Sequence, residues 1–219
     1  DGSAETTAVR SLTRAFFLVR DNTTLLFRRG DTFDYSTGAV IKQRNIVLSA
    51  FGESNLPPPT LRVVKPDVWE ALRTTETSSD ILIENLAFDS AFPEDFELKG
   101  AARALSASGL NIAMVDCVFS NVRDGVNADR NPTGLLVQGC VAPTVTSLRA
   151  YLVWAAGSNL VIVGNRAGNS TREHIVRASR CQSALIAHND FGNLDRRKHG
   201  DPRDILKGAI TLQNGGCYY

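Results

Sequence analysis

The sequence predicts an all-β fold, a parallel β-helix (solenoid) closed at its N-terminal end by a capping helix. Three observations lead there. A nine-residue apolar pattern recurs five times, its copies follow one another at offsets of 31, 23, 25 and 24 residues, and hairpin turn signals between them are scarce.

The cap comes first in the chain. "TAVRSLTRAFFLV", from Thr7, has helical periodicity and precedes the strand-like "TTLLFRR". A stack of coils leaves an apolar end that must be covered, and a helix placed here would cover it. "NIVLSAFG", from Asn45, is a degenerate first copy of the repeat. The five clear copies are "DILIENLAF" from Asp80, "NIAMVDCVF" from Asn111, "GLLVQGCVA" from Gly134, "NLVIVGNRA" from Asn159 and "SALIAHNDF" from Ser183. Their second and fourth residues are apolar: Ile81/Ile83, Ile112/Met114, Leu135/Val137, Leu160/Ile162 and Ala184/Ile186. A period of two means a strand. A small or polar residue follows two positions later (Asn85, Asp116, Gly139, Gly164, His188), where the chain should bend. At His188 the expected role is a structural hydrogen bond.

A coil of this length holds two or three short strands and cannot bury its own apolar edge. Successive coils must therefore stack, at roughly 4.8 Å per rung, and bury it together. A β-sandwich with evenly spaced strands is the competing architecture. Agreement between copies position by position favours the β-helix. The expected organisation is one domain over 1–219, with a cap over 1–23 and coils over 24–215. The end "TLQNGGCYY" offers no evident cap. Three readings follow for it: a fragment of a longer protein, continuation into a further domain, or self-association with a second copy.

A second strand falls about 14–16 residues after each repeat begins. Its copies are "DGVNAD" from Asp124, "AYLVWA" from Ala150, "EHIVRA" from Glu173 and, after a long insertion, "GAITLQ" from Gly208. This alignment makes Val126, Leu152, Ile175 and Ile210 an inward column, and turns Tyr151, His174 and Val176 outward. Arg172 and Lys207 each precede a copy, one rung apart. Trp154 and Arg177 take equivalent positions on neighbouring rungs, within reach of a cation–π contact. The polar insertion "GNLDRRKHGDPRDIL" brings Lys198 and His199 over the same corner; long insertions in solenoids often form the binding face.

Charge distribution supports an anionic ligand there. The whole chain carries +1, but residues 166–207 hold seven Arg and two Lys against five acids, a local +4, together with all three histidines. Composition argues neither for a nucleic-acid partner nor for disorder, and no apolar run is long enough for membrane insertion. The chain opens on "DGSAE" rather than on a secretory signal, which reads as a processed or engineered start. Four cysteines (Cys117, Cys140, Cys181, Cys217) show no zinc-type spacing, so two disulfides and four thiols are both open. Stacked buried thiols are the expectation for Cys117 and Cys140, which share a register on adjacent rungs.

"LLFRRGDTF", "NIVLSAFGESNLPPPTL", "NLVIVGN" and "ALIAHNDF" together resemble the bacterial right-handed parallel β-helix proteins of the pectate-lyase-like superfamily, from about Thr24 to Gln213. "STREHIVR…LIAHND…LKGAITL" is similar to one group within it that carries an REH…R…HN…K arrangement. The resemblance implies the fold strongly. For activity it implies a set: lyases, hydrolases, epimerases, and inert tail or surface domains.

The expected function is therefore a secreted, periplasmic or cell-surface carbohydrate-active protein, a lyase of acidic (uronate) polysaccharide. β-Elimination needs the uronate carboxylate neutralised, by Arg, Lys or a cation such as Ca²⁺, before the neighbouring proton is acidic enough to remove. Arg172, His174 and Lys207 are the catalytic candidates. Tyr151, Trp154, Glu173, Arg177, Lys198 and His199 are the substrate-binding ones. The structural reading of the same residues is an ion-pair corner in which Glu173 bonds a neighbouring cation. Asp124 and Glu173 share a column but lie two rungs, roughly 10 Å, apart, wide for a paired-carboxylate glycosidase. Asp89, Glu94, Asp95 and Glu97 offer oxygen ligands for Ca²⁺ without a recognisable loop spacing. The alternative function is a non-catalytic β-helix for adhesion, surface display or assembly.

Overall fold

Each turn of the stack begins where the sequence repeat begins. The computed structural model describes residues 4, 8–92, 102–143, 148–168, 174–192 and 209–213. Over these residues the chain winds through three faces of parallel strands. The first face carries β1 (Thr24–Arg28), β4 (Arg44–Phe51), β7 (Ser79–Glu84), β10 (Leu110–Val115), β13 (Thr133–Gln138), the second half of β15 (Leu148–Val163) and β18 (Ala184–Ala187). The second face carries β2 (Thr32–Tyr35), β5 (Thr60–Val63), β8 (Ala87–Ser90), β11 (Val118–Phe119), β14 (Val141–Ala142), β16 (Arg166–Ala167) and β19 (Asp190–Phe191). The third carries β3 (Ala39–Ile41), β6 (Glu70–Thr74), β9 (Arg103–Ser106), β12 (Val122–Ala128), the first half of β15, β17 (Val176–Cys181) and β20 (Ile210–Gln213). β15 serves two faces because it bends at Gly157 (φ 114°), where a Cβ would collide with the Pro132 carbonyl oxygen.

The repeat residues meet as the sequence pattern requires. Ile46, Ile81, Ile112, Leu135, Leu160 and Ala184 form one column, and Leu48, Ile83, Met114, Val137, Ile162 and Ile186 the next. All but the last member of each column are buried. Burying an Ile, Leu or Met side chain is worth about 1.5–3 kcal/mol, so these columns are a main source of cohesion between rungs.

The bends fall at the expected positions. Asn85, Asp116, Gly139, Gly164 and His188 all have positive φ, between 49° and 67°. Asn and Asp tolerate the left-handed region through local hydrogen bonding, and Gly enters it without penalty. His188 is exposed. The structural hydrogen bonds at its bend come from the next residue instead. Asn189 Nδ2 donates to the Ile162 carbonyl and its Oδ1 accepts from the Asn165 N–H, each at 2.9 Å. Asn165 repeats this one rung earlier, donating to Val137 O at 3.0 Å and accepting from Cys140 N–H at 2.9 Å. Cys140 and Cys117 precede these in the same ladder as buried free thiols. Burial, reinforced by the neighbouring Cys140, pushes the Cys117 thiol well above its ordinary pKa. Cys181 is a buried free thiol as well, and Cys217 lies outside the described residues.

The N-terminal end is capped. Helix α1 (Leu12–Leu18) starts at Ser11, whose Oγ accepts from the Arg14 N–H at 3.3 Å. It packs against β2 and β3, burying Leu12 and Ala15.

On the third face the expected register is off by one at two rungs. Val126 pairs with Val153, Val176 and Ile210, not with Leu152 and Ile175. The cause is that Leu152/Val153 and Ile175/Val176 are consecutive apolar pairs, all buried, so a period of two does not choose between them. Val176 is consequently a core residue and does not face outward. Tyr151 and His174, expected to face outward, are also buried, only 4% and 6% exposed.

Candidate functional site

The corrected register on the third face aligns two polar columns. One contains Glu70, Arg103, Asp124 and Tyr151, with His174 one rung beyond Tyr151. The other runs Val40, Arg73, Ser106, Asn127, Trp154, Arg177 and Thr211. Rungs β12, β15 and β17 bring the chemically distinctive members together.

Arg177 is held by an aromatic corner. Its guanidinium carbon lies 5.3 Å from the Trp154 ring centroid, and Nη1 donates to the Tyr151 hydroxyl at 3.3 Å. Nε donates to Ser179 Oγ, also at 3.3 Å. The Tyr151 and Trp154 rings are tilted by 43° with centroids 5.4 Å apart. Trp154 and Arg177 are half-buried. A guanidinium positioned in this way has its direction fixed before any ligand arrives, which lowers the ordering cost of anion recognition.

One rung toward the N-terminus, Asp124 is fully buried. Its Oδ2 takes Arg103 Nε at 3.2 Å, Arg123 Nε at 4.0 Å and Asn127 Nδ2 at 3.4 Å. Its Oδ1 and the Asn127 Oδ1 are buried and have no hydrogen-bond partner among the described residues. Burial raises the Asp124 pKa above its ordinary value, outweighing the opposite pull of Arg123, Arg103, Asn127 and the Tyr151 backbone. Two guanidiniums thus converge on one buried carboxyl. Residues whose pKa is shifted by burial and specific charges recur at functional sites.

Three of the expected site residues thus come together, Tyr151, Trp154 and Arg177, and His174 is buried on the next rung, just before β17. The expected cation–π pair is present. Arg172, Glu173, Lys198, His199 and Lys207 lie outside the described residues, as do Glu94, Asp95 and Glu97 of the acidic group. Asp89, the remaining member, accepts from Asn121 Nδ2 at 2.9 Å and stands next to Arg62 in the ladder. Sequence reasoning passed over Asp124, Arg103 and Asn127 as members of this site. The available signal was Asp124 itself, an acid opening a strand copy otherwise buried, but its partner Arg103 sits on a strand the repeat pattern had not marked.

Compared with protein-family models, with curated proteins and with solved structures, the chain matches none of them. The β-helix architecture and the geometry of this face are therefore what a functional reading has to stand on.

Proposed function

We propose that this β-helix is a carbohydrate-active protein, secreted or surface-located, which binds an acidic polysaccharide across the Trp154–Arg177 face and cleaves it by elimination. The observation that carries the reading is the preset Arg177 guanidinium, stacked on Trp154 and bonded to Tyr151, beside a buried carboxyl flanked by two further arginines. An indole offers a flat apolar surface for the C–H face of a sugar ring. A guanidinium neutralises a uronate carboxylate with directed hydrogen bonds and makes the adjacent carbon acid easier to deprotonate.

The proposed roles follow from position. Arg177 takes the carboxylate, Trp154 supports the ring, and His174, next to Tyr151 in the column, moves the proton. Arg172 and Lys207 are further catalytic candidates by sequence position, and Glu173, Lys198 and His199 further binding ones. Ca²⁺ is an optional bridge between carboxylates. Incubation with alginate, pectate, hyaluronan and chondroitin, with and without Ca²⁺, tests the proposal through the ultraviolet absorbance of the unsaturated uronate that elimination creates. A rise with one polymer, lost in Arg177→Ala, supports it; a flat trace with folded protein across the panel rejects the lyase reading.

A second reading has its own observation. The last described rung leaves Ile210 and Leu212, in line with core Val176 and Ala178, at least 40% exposed, an edge suited to receive another rung from this chain or from a second copy. Under that reading the protein is a non-catalytic adhesion or assembly module. Light scattering across a concentration series separates the two, since only the assembly reading requires the mass to grow.

A further inference from the structure

A cavity of about 320 Å³ opens on the same face, three rungs from Trp154 toward the capped end. One wall is the loop before β3, with Thr37 and Gly38; the other carries Asp67, Trp69, Glu70 and Arg73. The loop approaches this closely because residue 38 is glycine: a Cβ there would lie 2.5 Å from the Glu70 carbonyl oxygen. Trp69 is 58% exposed. A single exposed apolar side chain on a protein surface needs no explanation. This one, however, borders a cavity lined by two acids, Asp67 and Glu70, and by an arginine with a buried donor. Arg73 Nη1 lies 3.4 Å from Glu70 Oε1, while the buried Arg73 Nε has no acceptor among the described residues.

These groups fit a sugar ring. The indole presents an apolar plane to pyranose C–H groups, Asp67 and Glu70 are acceptors for hydroxyls, and Arg73 Nε–H lacks only an oxygen to donate to. The volume, at the small end of ligand sites, suits one or two sugar residues. Two acids against one arginine make the lining unfavourable for a second carboxylate. We propose that this cavity is a subsite for an uncharged sugar residue of the same polysaccharide that the Trp154–Arg177 corner holds by a uronate. The proposal rests on the carbohydrate reading of that corner and narrows it. Arg73 shares a column with Trp154 and Arg177, so at roughly 4.8 Å per rung it lies about 14 Å from Trp154 and about 19 Å from Arg177. A chain that satisfies both carries uncharged sugars between its uronates, rather than uronates alone.

The protein has two tryptophans, so 5-fluorotryptophan labelling of the full chain gives two ¹⁹F resonances, assigned with Trp69→Phe. A hyaluronan hexasaccharide, which alternates uronate and N-acetylhexosamine, is titrated against an alginate hexasaccharide of uronates alone. The Trp69 resonance should move with the first and stay with the second, and Trp69→Ala should weaken hyaluronan hexasaccharide binding on the order of tenfold, the loss of one stacking contact. Movement of the Trp154 resonance alone overturns the subsite and leaves the acidic-polysaccharide reading standing. Movement of Trp69 alone upholds a sugar site there and overturns the role of the Trp154–Arg177 corner. An equal Trp69 response to both oligosaccharides overturns the preference for an uncharged sugar, and two stationary resonances with both overturn the pair of readings together.

Discussion

If Arg177 is preset by the aromatic corner, removing Trp154 must change what Arg177 contributes, and a double-mutant cycle measures this. Trp154→Ala removes the cation–π contact at 5.3 Å and the tilted ring contact to Tyr151 at 5.4 Å. Cation–π pairs range from about 0.5 kcal/mol when exposed to about 2 when desolvated. Trp154 and Arg177 are both half-buried, which places their coupling near 1 kcal/mol. Full burial of Trp would make truncation cost about 3–5 kcal/mol; half-burial brings Trp154→Ala to about 2 kcal/mol, with the Tyr151 contact included. Arg177→Ala should cost about 1–2 kcal/mol, for the same cation–π pair and two hydrogen bonds at the long end of their range. With a urea m-value of about 2–3 kcal/mol/M, the coupling appears as a shortfall of roughly 0.3–0.5 M in the double variant's midpoint shift, relative to the sum of the single ones. Urea unfolding followed by far-ultraviolet circular dichroism gives all four midpoints. Additivity within about 0.3 kcal/mol, the scatter expected of independent sites, would refute the idea that Trp154 positions Arg177.

Asp124 yields a pH prediction with a definite sign. Its folded pKa is raised by burial, so the stability it contributes is present in full below the ordinary carboxylate range and is lost as pH rises through the raised value. Asp124→Asn should flatten that decline in a urea series across pH, and an unchanged slope would contradict the assignment. Alginate binding should tighten as pH falls through the same interval, because a neutral Asp124 leaves Arg103 and Arg123 uncompensated; isothermal titration calorimetry of the wild type and Asp124→Asn checks this. In the core, Ile83→Ala should cost about 2–5 kcal/mol, since Ile83 is fully buried between Leu48 and Met114, and the urea midpoint should fall accordingly. Cys117, Cys140 and Cys181 should resist a thiol reagent until the chain is unfolded, which mapping of modified peptides by mass spectrometry resolves residue by residue.

The stack was legible in the sequence because its cohesion comes from positions that repeat. Ile81, Ile112, Leu135 and Leu160 meet in one column and are equivalent in the pattern, and Asn85, Asp116 and Gly139 mark bends by a conformational need few residues satisfy. The register of the third face was not legible. There the apolar signal comes as adjacent pairs, Leu152/Val153 and Ile175/Val176, both members buried, so alternation loses its power to assign a side. The shift between Val122 and Asp124 in the β12–β15 pairing adds an irregularity that periodicity does not encode. One contact survived the error. Trp154 and Arg177 are offset by the same number of residues as Val153 and Val176, so their mutual pairing did not depend on which way the strand faced.

That survival also says where to look for chemistry in this fold. A column that stacks like on like, such as Val126, Val153 and Val176, gains only cohesion, and substitution by another apolar residue changes little beyond volume. The neighbouring column runs Arg73, Ser106, Asn127, Trp154 and Arg177, and no two successive members are alike. Stacking geometry alone does not call for such variety, and burial of Asp124 and Asn127 with unpaired oxygens works against stability. A desolvation cost of this kind on the same face as a positioned guanidinium is the trade expected where a fold gives up stability for function. The test is direct: replacing Asn127, whose Oδ1 has no partner among the described residues and whose Nδ2 donates to Asp124 at 3.4 Å, by Leu should leave the fold intact and cost about 1–2 kcal/mol by urea unfolding, while binding of the acidic polymer falls. If stability collapses and binding by the surviving folded protein is unchanged, the polar column is structural and the functional reading of this face is wrong.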